Sequence, residues 1–331
     1  MIRYSDEEGF IRPHGIKYRE NQDKNIKLPK VAVGVFSRHL FEDVIEKFSS
    51  LEVGYISCAN MDRNVYIIKY KDVEITFFMA GVSGPWIAGD IEELYAAGVE
   101  KVIIFGNCGV LDANIEDCSI IIPTLGYRDE GTSYHYVPES ETIEINPDYK
   151  EEFIDILGKF DFDYTKGATW TTDAFYRETK DKIKYYKENG VVCVEMEGTV
   201  IAAVCNKLNM KYFTFYYAGD NLDGTVWDKR SLNGLVNIDK KKEVLLLALE
   251  LALVIWKWKT YVFFKKNTKF CKNILTLVKI RVKYWLNLFE GEHMSLIENY
   301  HNLDIKIKKH YCCVYCSCYF SMIKNDEKIG D

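Results

Sequence analysis

The chain has 331 residues, 48% of them hydrophobic, which is enough for a sizeable buried core in one large domain or two small ones. Its formal net charge of -6 is uneven: residues 257–331 hold 14 Lys and Arg against 7 Asp and Glu, a surplus of 7, leaving -13 on the first 256. An acidic body with a basic end results, no nucleic-acid partner is expected, and the longest apolar run (244–256, interrupted by Glu250) falls short of the roughly 18 residues of a membrane span.

In chain order, the opening MIRYSDEEGF has charges where a secretion signal needs an apolar run, so a cytoplasmic location is expected. Buried-type strands are predicted at KVAVGVF (30–36), VEITFFMAG (73–81), KVIIFG (101–106), CSIIIPT (118–124) and KYFTFYYAG (211–219). Helical spacing falls between them at 84–98, opened by Gly-Pro and stopped by Gly, and at 197–208 after the strand-like VVCV. A helix over about 239–258 closes the pattern. Strands alternating with helices indicate an α/β fold, a three-layer α/β/α sandwich with a mixed central sheet, and such folds place ligands in the loops after strands.

Composition changes near residue 257, which divides the chain into a domain at 1–256 and a basic, aromatic, Cys-containing extension at 257–331. Cys58, Cys108, Cys118, Cys193 and Cys205 lie in apolar or turn-like segments, where reduced cysteine acts as a small hydrophobe, and no disulfide framework is expected. In the extension, Cys312, Cys313, Cys316 and Cys318, with His310, have a spacing that could hold a metal, but no second cysteine pair with zinc-finger spacing accompanies them. The extension is read as solvated, with no metal and no membrane contact.

The segment VVCVEMEGTVIAAVCNKLNMKYFTFYYAGD (191–220) runs strand, Glu-Met-Glu, helix, strand, Gly-Asp. Carboxylates at a strand-to-helix junction can simply answer the helix dipole, and an Asp after a strand can simply be a cap. Together, at the ends of neighbouring strands, they point into one crevice. Three further segments stand in order around them: GVFSRHL (34–40), FGNCGVLD (105–112) and TTDAFYRE (171–178).

On these residues the chain resembles the nucleoside phosphorylase family, which includes purine nucleoside and uridine phosphorylases and is related to methylthioadenosine and AMP nucleosidases. The resemblance spans about 30–241. It implies that Glu195, Met196 and Glu197 bind the ribose, that Asp220 is the general acid of a purine enzyme, and that Phe175 stacks on the base. It implies an anion site at Gly34, Arg38 and Asn107, and a second subunit that contributes His14 to the sugar and Arg63 to phosphate. A homo-oligomer, a dimer or a trimer of dimers, follows, with inorganic phosphate as co-substrate and no further cofactor.

Departure of the base leaves positive charge on the sugar and negative charge on the base. An ionised Glu197 answers the first, and a protonated Asp220 answers the second. The family's arginine two residues before the Gly of the central turn is Ile104 here, its Ser or Thr is Asn107, and the acidic residue of the first loop is Val35. A nucleosidase using water is therefore the nearest alternative, and a non-catalytic nucleoside-binding or storage protein on the same fold is another. Asp220 favours a purine, although YRDEGTSYHY (127–136) is similar to a uridine phosphorylase segment.

Overall fold

The structure, a computed structural model, describes residues 2–18, 27–58 and 61–266, the side chains of 258–266 excepted. The readings placed on Cys312, Cys313, Cys316, Cys318 and His310 lie outside the described residues. The chain divides into two units, Met1–Lys259 and Thr260–Asp331, and every described strand belongs to the first.

β1 (Val31–Val35) leads into α1 (Arg38–Lys47), which starts where the Ser37 hydroxyl accepts the Leu40 N–H. A hairpin of β2 (Ser49–Cys58) and β3 (Met61–Tyr70) is followed by β4 (Val73–Met79) and α2 (Gly84–Ala96), with Pro85 in its first turn. Next come β5 (Lys101–Val110), β6 (Ile120–Asp129), β7 (Thr142–Glu144), α3 (Lys150–Phe160) and β8 (Tyr164–Thr172). α4 (Lys180–Glu188), β9 (Val191–Glu195), α5 (Gly198–Leu208), β10 (Lys211–Asn221) and α6 (Ile238–Lys266) complete the described part.

The strands form one mixed sheet in the order β10-β6-β8-β9-β5-β1-β4-β3-β2, with β7 added on β6. A further pairing of β10 with β5 closes β5, β10, β6, β8 and β9 into a ring. β1, β4, β3 and β2 extend from that ring as an open arm.

Strand alternation sorts the core between two faces. Val31, Val33, Ile103 and Phe105 pack with residues of α1, α3 and α6, whereas Ala32, Val102 and Ile104 pack with residues of α2 and α5. The result is the expected sheet between helical layers. Leu247, Leu249 and Leu251 of α6 are wholly buried, and each such side chain contributes roughly 1.5–3 kcal/mol by leaving water. Among the described residues no helix is long and apolar enough to cross a membrane.

The boundaries differ from the sequence reading for local reasons. The strand expected from Cys118 starts at Ile120, because Cys118 takes a left-handed turn at φ 61° and donates its N–H to Ala218 at 2.8 Å. β5 and β10 outrun their apolar cores and keep pairing to Val110 and Asn221, past an irregularity between Ala218 and Asp220. α6 continues to Lys266, beyond the expected end at 258.

Candidate functional site

The site is organised around the end of β5. Gly109 pairs with Val194 of β9 on one side and with Asp220 of β10 on the other. The two carboxylate segments thus flank β5 and are not direct neighbours of each other, as the sequence had suggested. A methyl group on Gly109 would collide with the Leu222 side chain and crowd Asp220 Oδ1 and Val194 at 3.2 Å, so the absent side chain leaves room for the close approach of these groups.

Glu195, the last residue of β9, is buried and fully engaged. Its Oε1 accepts from Thr171 Oγ1 at 2.6 Å and Thr169 Oγ1 at 3.1 Å, and its Oε2 accepts the N–H groups of Glu197 at 2.7 Å and Gly198 at 2.6 Å. Burial pushes its pKa up, and these four donors oppose the push. This geometry makes Glu195 the acceptor for the N–H groups that open α5.

Glu197, two residues on, is also buried, and its Oε1 accepts the Ser83 N–H at 2.6 Å. Burial first, and the neighbouring Glu195 second, push its pKa up to about 8. Ser83 sits in the turn between β4 and α2 at φ 95°, ψ 153°, a conformation that costs a non-glycine residue about 1–3 kcal/mol. Met196, between the two acids, is half-buried.

Asp220 is buried at the end of β10, and burial raises its pKa. The Trp227 indole N–H donates to Oδ2 at 2.7 Å and, with the more distant Arg230, works against that rise. Glu178 was not anticipated from sequence: it is half-buried, and burial followed by the charge of Asp220 pushes its pKa up to about 7. A carboxyl proton is therefore available near neutral pH on this side of β5. Phe175, in a short 3₁₀ turn after β8, is 50% exposed and packs against Tyr176 with ring centroids 4.2 Å apart. Its face is available for stacking.

The residues expected to hold an anion are less well gathered. Gly34 lies inside the ladder between Phe78 and Ile104, under the Phe78 ring. The Phe78 ring occupies the side of Gly34 on which a Cβ would stand. Arg38 starts α1 with its side chain 76% exposed and pairs with Glu42 at 2.8 Å. Asn107 is exposed on β5. Ile104 is wholly buried among the residues that face α2 and α5, so no cation stands there.

Arg63 and His14, the residues expected to serve a second subunit, are placed differently from each other. Arg63 is buried, ion-paired with Asp90 and stacked over Trp86 at 4.7 Å, so within its own chain it does not reach outward. His14 is exposed, with its backbone N–H held by Glu93 at 2.9 Å. Among the described residues no His, Cys, Asp and Glu cluster is arranged to hold a metal ion.

A family model described as the phosphorylase superfamily matches residues 30–250. A guanosine phosphorylase of Halorubrum lacusprofundi is 27% identical over 154 residues, 46% of this chain and 63% of that protein. A uridine phosphorylase of Thermococcus kodakarensis is 34% identical over 108 residues, 33% of this chain and 39% of that protein. In both cases the chain spans less than two thirds of the relative's length. A DeoD-type purine nucleoside phosphorylase of Colwellia psychrerythraea is 25% identical over 171 residues, 50% of this chain and 72% of that protein. In fold, the chain is similar to the crystal structure of a purine nucleoside phosphorylase from Toxoplasma gondii in complex with immucillin-H, with a TM-score of 0.59 and 17% identity over 74% of this chain and 96% of that one.

Proposed function

Because the chain belongs to the phosphorylase superfamily, we propose that it transfers the pentose of a nucleoside, a purine nucleoside by preference, to inorganic phosphate, releasing free base and pentose 1-phosphate. The observation that carries this reading is the pair of buried carboxyl groups, Glu197 just past the end of β9 and Asp220 on β10, the two strands that flank β5 at Gly109. The bond from C1′ to the base nitrogen breaks with its electron pair going to the base, and a phosphate oxygen forms the new bond to C1′.

In this reading Asp220, whose pKa burial raises, gives its proton to the departing base, a step worth roughly 10²- to 10⁴-fold. The ionised form of Glu197, which predominates only above about pH 8, balances the cationic sugar, Met196 packs on it, and Phe175 stacks on the base. Arg38 and Asn107 receive phosphate. No other cofactor is required, and the working form is a homo-oligomer in which His14 of one chain serves its neighbour.

A second reading is favoured by one specific finding. Ile104 is buried in the core and Phe78 covers Gly34, so the phosphate side has little fixed positive charge, which suits water as the acceptor.

The test is base release from inosine, adenosine and uridine at matched concentrations, with and without phosphate. Phosphate-dependent release is the expected result, and equal release in both buffers makes the protein a nucleosidase. Binding without release in either buffer overturns both and leaves a nucleoside-binding protein.

A further inference from the structure

One buried charged pair takes no part in the chemistry above. Asp90, on the second turn of α2, is 1% exposed. Its Oδ1 takes the Arg63 guanidinium from β3, and its Oδ2 accepts the Gly81 N–H at 2.7 Å. Trp86 covers the guanidinium on one face. Two residues after Gly81, Ser83 holds its left-handed backbone and presents its N–H to Glu197.

We propose that the Asp90–Arg63 pair is the positioning element of Glu197: by fixing Gly81 against α2 it holds the strained turn that aims the Ser83 N–H at the Glu197 carboxylate. A buried acid with its partner arginine is a costly way to satisfy one backbone N–H. It is a suitable way to fix a backbone that would otherwise relax, because a charged acceptor binds an N–H more tightly than a neutral one. Arg63 makes this pair through Nη2, while its buried Nε and Nη1 have no hydrogen-bond partner among the described residues. The inference rests on the proposed reading only in taking Glu197 as the sugar-facing acid.

The Ser83 N–H stabilises the ionised form of Glu197, so loosening the turn must raise the pH at which Glu197 ionises. The other groups acting on that carboxylate are Glu195, which raises its pKa, and the Met196 N–H, which lowers it, and the nearby Tyr216 is buried.

The test compares two full-chain double variants that leave no lone buried charge. Arg63→Met with Asp90→Leu abandons Gly81, whereas Arg63→Met with Asp90→Asn keeps an acceptor for it. The Glu197 midpoint is read by infrared titration of ¹³C-carboxyl glutamate, assigned by difference from Glu197→Gln, together with the pH dependence of kcat. The leucine variant should shift the midpoint upward and lower kcat roughly tenfold or more at pH 7 with KM little changed, and the asparagine variant, which keeps a neutral acceptor, should fall between it and wild type in both.

Equal midpoints in wild type and both variants overturn the proposal. Wild-type amide exchange provides a check that needs no variant: the Gly81 and Ser83 N–H groups should exchange slowly, and fast exchange of either also overturns it. The titration does not require turnover, so a protein that cleaves no nucleoside but shows the midpoint shift refutes the proposed function and keeps the positioning role.

Discussion

Glu197 sets stability against reactivity. Its ordinary value of 4.5 rises to about 8 in the fold, so between those values the folded chain holds a proton that the unfolded chain has lost, and stability falls as pH rises through that window. Glu197→Gln should therefore gain about 1–3 kcal/mol over wild type above pH 8, read from urea midpoints at about pH 4 and about pH 8.5, with little gain at the lower pH. The same substitution should reduce kcat by roughly 10²- to 10³-fold, since a preorganised charge facing the sugar is lost, and unchanged turnover would remove Glu197 from the mechanism. Burial raises the pKa of Asp220 as well, and the Trp227 N–H opposes that rise by favouring the charged carboxylate, so Trp227→Phe should keep the acid protonated to higher pH and move the alkaline limb of the rate profile upward. An unmoved limb would mean that Trp227 does not govern the acid. The two acids are legible in the sequence because they sit where apolar strands give way to a helix or a turn. Trp227 is not, because it lies in a loop without period or motif, and its partner is found only once the loop folds back on β10. Glu195 is legible as a carboxylate but not as a cap, since its donors Thr169 and Thr171 come from a different strand.

β8 shows how a strand can carry a site without contributing a reacting group. Thr169 and Thr171 point to one side of it, and both hydroxyls serve Glu195, while Thr171 Oγ1 also accepts the Thr199 N–H of α5 at 3.1 Å. Thr171→Val keeps the shape but leaves a buried carboxylate and a helix N–H each short of a partner, at a cost of about 1–3 kcal/mol of stability. Equilibrium denaturation checks this, and a loss below the error of the fit would show that solvent replaces the hydroxyl. This strand escapes the sequence reading because YTKGATWTT mixes Gly, Lys and Thr and shows no apolar run. The β2–β3 hairpin escapes for a different reason: its register shifts between Glu52 and Gly54, which changes the phase of the inside–outside alternation in mid-strand. The strands that are legible, β1, β4, β5, β6 and β10, are those buried on both faces, whose continuous apolar runs need no phase.

Across the described residues of the first unit, two helical layers hold the sheet, and α6 supplies much of one of them. Leu249→Ala, at a wholly buried position of α6, should cost about 2–5 kcal/mol through lost transfer energy and the cavity left behind, measured as a shift in denaturation midpoint at constant slope. A markedly smaller loss would mean that α6 can settle into the gap. The mixed α/β class follows from the alternation of elements, but closure of the sheet does not, because the pairings of β5 with β9 and β10 join segments far apart in sequence.

That closure also bears on how the molecule is made. β5 is complete at Val110, yet one of its ring partners begins only at Val191 and the other only at Lys211. On the ribosome, therefore, residues 107–109 emerge long before either carboxylate segment, and the end of β5 waits as an open edge while the intervening elements are synthesised. Such an edge can recruit a strand from another chain, so messages truncated before residue 211 should yield aggregating products rather than partly active ones.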